Sequence, residues 1–272
     1  MRSLIVAIPV VWVWLAATST SHAAIFYVAT TGSDVNPGTQ AAPFLTIGHA
    51  ASVTHAGDTV IVENGTYSCS TSSGQDSILV LIPNGGTASA PITFEAQNPY
   101  GAVLDGLNDT TAAGFSIGSH VSYINIRGFE IKGFGTGAPG GADGIDAYRA
   151  GVSNIAITGN KIHDIGRMCT DSGYGLSGIF VDASNVTIQQ NMIYDIGRYR
   201  PGENGCQPRQ PHYETTDHGI YMDGGRNNLI INNVFWRCKR GWAIQVYPHN
   251  QRNLSILNNT FVWGNPYRKN SS

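Results

Sequence analysis

Between residues 213 and 223 the chain reads Tyr-Glu-Thr-Thr-Asp-His-Gly-Ile-Tyr-Met-Asp, its densest run of groups able to move a proton. Asp217, His218, Tyr221 and Asp223 place carboxylates, an imidazole and a phenol in one short segment, the inventory of general acid–base chemistry. A carboxylate pair is the second candidate. If Gly178-Ile-Phe-Val-Asp182 and Gly219-Ile-Tyr-Met-Asp223 are stacked copies of one strand, Asp182 and Asp223 lie about 4.8 Å apart at Cα. Carboxylates that close repel unless a cation, a shared proton or an arginine intervenes. The pair therefore points to a Ca²⁺ site or to acid and base acting on a sugar, with a strand-ending Asx-turn as the structural alternative. Arg167, Arg198 and Arg240 close the related segments His163-Asp-Ile-Gly-Arg167, Tyr194-Asp-Ile-Gly-Arg198 and Trp236-Arg-Cys-Lys-Arg240. In register they form a row suited to bidentate binding of a carboxylate or sulfate, or a solvated ladder of ion pairs with Asp164 and Asp195. Tyr148, Phe180, Tyr194, Tyr221, Trp236, Tyr247 and Trp263 all fall at expected outward positions, where aromatic rings offer stacking surfaces to sugars.

What must position these groups is a repeat. Segments ending at Ile131, Ile162, Ile193, Phe235 and Phe261 are five copies of one line, their ends 31, 31, 42 and 26 residues apart. Each copy is a short alternating strand, an Asn-Gly or Asn-Asn corner, a second strand, a loop and a third strand, which predicts the coil of a parallel β-solenoid. Two asparagine columns share the register: Asn154, Asn185, Asn227 and Asn253, and Asn160, Asn191, Asn233 and Asn259. Stacked asparagines can bond their amides to one another at a tight bend. In the third strands, Ile145, Ile179, Ile220 and Ile244 share an inward column with Ala147, Val181, Met222 and Val246. The outward columns are then Asp146, Phe180, Tyr221, Gln245 and Tyr148, Asp182, Asp223, Tyr247. A helix over Phe44 to His55 is suited to cover the open end of the core.

The first 23 residues, with Arg2, an apolar run from Leu4 to Ala17 and small residues before Ala24, read as a signal peptide. The run is too short to span a bilayer, so the protein is expected to be secreted, extracellular or periplasmic, with one β-helix domain over residues 24–272. Only 12% of residues are charged and the net charge is −2, which excludes a broad basic field for nucleic acid and a basic amphipathic helix for membranes. A monomer is expected. Of four cysteines, Cys169 and Cys206 follow Ile-Gly-Arg on successive coils and could lie in neighbouring loops, whereas Cys238 aligns with inward isoleucines as a buried thiol. The chain reaches Ser272 without a recognisable closing cap after the fifth repeat; either the polar tail folds over that end or further coils follow, and the latter is the expectation.

Tyr27-Val-Ala-Thr-Thr-Gly-Ser-Asp-Val-Asn-Pro-Gly38, Pro43-Phe44, Ala56-Gly-Asp-Thr-Val60 and Asn64-Gly-Thr-Tyr67 resemble the opening of secreted right-handed parallel β-helix proteins of the pectate-lyase-like superfamily. That resemblance implies an all-β solenoid and a polysaccharide partner, while leaving lyases, uronate epimerases, glycoside hydrolases and non-catalytic adhesins open. Asp143-Gly-Ile-Asp146 is similar to part of the Ca²⁺-binding Asp-Asp-Gly-x-Asp pattern of family 9 pectate lyases, with Ala142 in place of the first Asp. By that resemblance Asp143 and Asp146 join Asp182 and Asp223 as Ca²⁺ ligands. No counterpart of that family's catalytic lysine is found.

Three readings follow. The first is a lyase or epimerase that removes the C5 proton of a uronate, with Arg198 and Arg240 or Ca²⁺ neutralising its carboxylate, His218 as base and Tyr221 as acid. The second is a glycoside hydrolase using carboxylates among Asp182, Asp217 and Asp223. The third is a non-catalytic surface protein that binds glycan through its aromatic and arginine rows. In each, ligand is expected along the outward face of the third strands, Tyr148 and Tyr247 included, walled by the 199–217 insertion and remote from Thr158, Thr187 and Ser255.

Overall fold

The computed structural model describes residues 23–69, 78–107, 111–135, 142–167, 169, 175–199, 202–206, 216–238, 240–248 and 251–262. The signal-peptide run, Tyr213 to Thr215 with most of the 199–217 insertion, Lys239, Trp263 and the tail from Asn265 lie outside these residues, as does the side chain of Ala142.

The described chain winds into three parallel sheets. The first stacks eight strands, from Ile25–Val28 to Ser255–Leu257; the second stacks seven, from Gly65–Tyr67 to Thr260–Val262. The third stacks six: Ile78–Ile82, Ala113–Ile117, Ala142–Ala147, Leu176–Asp182, His218–Gly224 and Ile244–Val246. Each strand pairs with its counterpart one coil away, as the repeat predicts. Isoleucines pair with isoleucines along the axis, Ile145 with Ile179, Ile179 with Ile220 and Ile220 with Ile244. All but the last are fully buried.

The two asparagine columns do different jobs. Asn154, Asn185, Asn227 and Asn253 all take the left-handed backbone conformation, with φ between 56° and 58°, which asparagine tolerates better than most residues. Asn160, Asn191 and Asn233 are completely buried, and each donates its side-chain amide to the Oδ1 of the next at 3.2, 3.0 and 3.0 Å, ending on Asn259. Their backbone amides donate to the same oxygens at 2.9 Å. The ladder thus satisfies the corner's buried polar groups coil after coil.

At the N-terminal end the helix is shorter than the expected Phe44 to His55 and spans Ile47–Val53. Thr46 caps it, its Oγ1 accepting from the His49 amide at 3.1 Å. Phe44 stays extended because it bonds the Tyr27 carbonyl and pairs with Val28. Ile47, Ala50 and Ala51 seal the core there. Cys169 and Cys206 form a disulfide with Cα atoms 5.4 Å apart, tying neighbouring loops, and Cys238 is a buried free thiol whose pKa burial pushes up to about 12. Among the described residues no helix is long and apolar enough to cross a membrane.

Candidate functional site

One glycine column sets the geometry of the third sheet. A Cβ on Gly114, Gly144, Gly178 or Gly219 would lie 2.5–2.6 Å from the carbonyl oxygen of the next coil's equivalent residue. At Gly144, Gly178 and Gly219 that Cβ would also meet the core side chains Ile162, Ile193 and Phe235. The inter-strand pairing steps over the glycine, from Asp143–Ser177 to Ile145–Ile179. Glycine and isoleucine therefore both face inward, and the strict alternation is broken once per coil. The residue before each glycine and the residue two after it both emerge on the outer face. Two files result: Asp143, Ser177, His218, and Ser116, Asp146, Phe180, Tyr221, Gln245.

These files floor a cleft of about 530 Å³ that Trp242 and Tyr247 help to wall. His218 is 4% exposed, and its ring stacks on Tyr221 with centroids 5.3 Å apart. The Trp242 amide donates to Nδ1 of His218 at 3.1 Å. With that lone pair engaged, the neutral ring carries its proton on Nε2. Burial lowers the imidazole pKa to about 4, so the ring is uncharged at neutral pH. Tyr221 stays protonated, its pKa raised by burial and by Asp223 and Tyr247. The carboxyl of Asp143 is buried, and desolvation with the nearby Asp146 raises its pKa well above the usual carboxylate range, against hydrogen bonds from the Ser177 hydroxyl and amide. Asp146 is pushed up to about 7 by burial, although it accepts from Ser116 Oγ at 2.8 Å and lies near Arg149.

The other expected residues are arranged differently. Asp182 does not face Asp223: the register shifts between Val181 and Asp182, which sets Asp182 opposite Gly224. The two still sense each other, since Asp182 contributes to the raised pKa of Asp223 after burial itself. Asp217 is fully buried beneath Arg198, whose Nε and Nη2 reach its carboxylate at 3.0 and 2.7 Å. This pair is a structural clamp, so Asp217 is not exposed for catalysis and Arg198 is not free for substrate. Arg167 donates to the Gly197 carbonyl at 2.9 Å and lies over the Tyr199 ring at 4.1 Å, while Arg240 donates to the Tyr199 carbonyl. The arginine row thus holds loops together.

The aromatics divide between two sheets. On the second, His163, Tyr194 and Trp236 stack face to face at 4.6 and 3.9 Å, which covers both faces of Tyr194. On the third, Tyr148 stacks on Phe180 at 5.2 Å, and Phe180 meets Tyr221 edge-on at the cleft. Sequence reasoning passed over Ser177 and Trp242. The signal for Ser177 was present in the recurring x-Gly-Ile of Asp143-Gly-Ile, Ser177-Gly-Ile and His218-Gly-Ile.

Ca²⁺ takes six to eight oxygen ligands. Among the described residues no group of three or more His, Cys, Asp or Glu is gathered to hold a metal. Asp143 and Asp146 supply two carboxyls, the second already bonded to Ser116, and the next coils offer Ser177, Phe180 and His218 at the equivalent places. Among the described residues the donor set does not fit a Ca²⁺ cage.

A model of the Pel9A-like, right-handed β-helix region matches residues 26–205 of this chain. The chain is 34% identical over 96 residues to pectate lyase PEL9 of Emericella nidulans, and 35% identical over 80 residues to the uncharacterized protein YwoF of Bacillus subtilis. Those matches cover 35% and 29% of this chain, and 22% and 15% of the relatives' own lengths. Among solved structures, the alginate lyase of Paenibacillus sp. str. FPU-7 superposes with a TM-score of 0.55, at 16% identity over 88% of this chain and 76% of that one. The last is a likeness of fold.

Proposed function

Because this chain belongs to the Pel9A-like right-handed β-helix family, we propose that it is a secreted lyase that acts on a uronate-containing polysaccharide by removing the C5 proton. The observation that carries this is the cleft, where Asp143, His218 and Tyr221 bring a carboxyl, a neutral imidazole and a phenol onto one rigid floor. The similarity to pectate lyase PEL9 of Emericella nidulans supports the same class.

The roles follow from the protonation states. His218 presents Nε2–H, so it donates a hydrogen bond to the sugar's carboxyl group and stabilises charge that develops there. The base falls to Asp143, the one carboxyl among the described residues that line the cleft. Tyr221, held protonated, is the acid at the departing O4. This reassigns the base from His218 to Asp143 and keeps Tyr221 as the acid. The Cys169–Cys206 disulfide supports export, since such bonds persist in oxidising compartments.

The test is the ultraviolet absorbance of a 4,5-unsaturated product on treating galacturonan, alginate or glycosaminoglycan. A rise with one of them, abolished in Asp143→Asn, is expected. Reducing ends released without that absorbance would instead identify a hydrolase.

A further inference from the structure

We infer that Asp58 is a receptor for the protein's own mature amino terminus: removal of the leader after Ala23 leaves an ammonium on Ala24, and that charge docks on the buried Asp58 carboxylate. The inference goes beyond the lyase chemistry and draws only on the proposed export. The strand Ile25–Val28 pairs with Thr59–Val62, and the pairing reaches one residue further back, where the Thr59 amide donates to the Ala24 carbonyl at 2.9 Å. The Ala24 nitrogen itself donates to Asp58 Oδ1 at 2.7 Å. Ala23, one residue earlier, is exposed. Docking therefore begins at the bond that the small residues Ser21 and Ala23 mark as a leader-peptidase cut.

Asp58 is held in place to receive that nitrogen. It closes the turn between the lid helix and Thr59–Val62: the His55 amide donates to its Oδ2 at 2.8 Å, and its own amide donates to the His55 carbonyl at 3.0 Å. From the next coil the Thr93 amide donates to the Asp58 carbonyl at 3.0 Å. Asp58 is 4% exposed, so its carboxylate is already stripped of most of its water. In the precursor the Ala24 nitrogen is a neutral amide. Hydrolysis of the Ala23–Ala24 bond by a signal peptidase takes up one water, leaves a carboxylate on the departing leader and an ammonium on Ala24, and sets opposite charges in contact without moving either group. A charge-assisted hydrogen bond is roughly twice as strong as a neutral one. Ala24 is only half-buried, so the ammonium keeps water on its other protons while the desolvated carboxylate gains a counter-charge. The precursor is thus the less stable form, and the first coil locks only when the leader has gone.

The experiment begins with the intact mass of the protein secreted by a bacterial host. A chain that starts at Ala24 is expected; one that starts elsewhere or keeps its leader would overturn the inference. Urea denaturation then compares that chain with one carrying Gly-Ser ahead of Ala24, each with Asp58 and with Asp58→Asn. The extension should raise the unfolding equilibrium constant about tenfold when Asp58 is present and less than about twofold when it is Asn. Equal stability of the two Asp58 chains, or an undiminished difference between the two Asp58→Asn chains, would overturn it. If Asp58→Asn does not fold, a crystal structure of the secreted protein decides: an Ala24 nitrogen at hydrogen-bond distance from Asp58 upholds the docking, and an amine turned to solvent rejects it. The cleft residues lie on later coils, so these results stand whichever way the absorbance test of lyase activity falls.

Discussion

Along the second sheet His163, Tyr194 and Trp236 repeat a flat ring from coil to coil and stack on one another. Along the third, the file runs from Asp143 to Ser177 to His218 and opens on a cleft. Both rows are outward-facing columns of one solenoid. A column that repeats its residue type finds its partner in its own copy one coil away, and its polar and aromatic groups are thereby used up in holding the stack. A column that changes type at every coil pairs less completely: Asp143 accepts from Ser177, yet both still line the cleft with His218 and can meet a ligand. In this molecule regularity marks support and irregularity marks the site.

The sharpest way to break that comparison is at the clamp. Asp217→Ala should strip Arg198 of its buried partner and destabilise the fold by about 3–5 kcal/mol, read by urea denaturation. A loss near zero would mean that the arginine row is free to bind after all. On the third sheet the same type of change should act oppositely: Asp143→Asn should lower turnover about 10³-fold and leave stability equal or higher, because it removes a poorly solvated carboxyl.

Acid titration sharpens the contrast within the cleft. The fold holds the Asp146 proton more tightly than the unfolded chain, so its contribution is present at acid pH and is lost as pH rises from 3.8 toward about 7. His218 has the opposite sign: the fold resists its protonation, and stability is lost as pH falls from 6.5 toward about 4. At 1.36 kcal/mol per unit the effects are on the order of 4 kcal/mol for Asp146 and 3 kcal/mol for His218, and between those limits they oppose. Replacing His218 by Gln should leave stability declining as pH rises; replacing Asp143 and Asp146 by Asn should leave it declining on acidification. Smaller still, Asn191→Ala should cost about 1–3 kcal/mol by removing the oxygen that accepts from the Asn160 backbone and side-chain amides and the donor to the Ile157 carbonyl. Tyr194→Phe, which keeps the ring stack, should change stability and glycan binding by less than about 0.5 kcal/mol.

The solenoid was legible because its signals recur: the isoleucine columns, the asparagine pairs and the third strands fall in the expected register. The site was legible only in part. His218 and Tyr221 stood out by residue type, and both reach the cleft. Asp217 stood out equally and is hidden, since its clamp with Arg198 joins residues 19 apart through a loop that the repeat does not specify. The expected alignment of Asp182 with Asp223 failed for a related reason, a one-residue shift at the strand's end that alternation cannot register. Alternation also ran past the glycine column, which is why Ser177 went unnoticed.

That glycine column separates what the coil needs from what the cleft does. Gly114, Gly144, Gly178 and Gly219 have no room for a side chain, whereas their neighbours on the outer face have changed from Ala113 to Asp143, Ser177 and His218 within a single molecule. Gene duplication and drift could therefore rewrite one coil's contribution at a time while the frame stayed intact. For protein engineering the same property makes the third sheet a row of interchangeable sockets, in which a new sugar specificity is reached by substitutions at the residue before each glycine and the residue two after it.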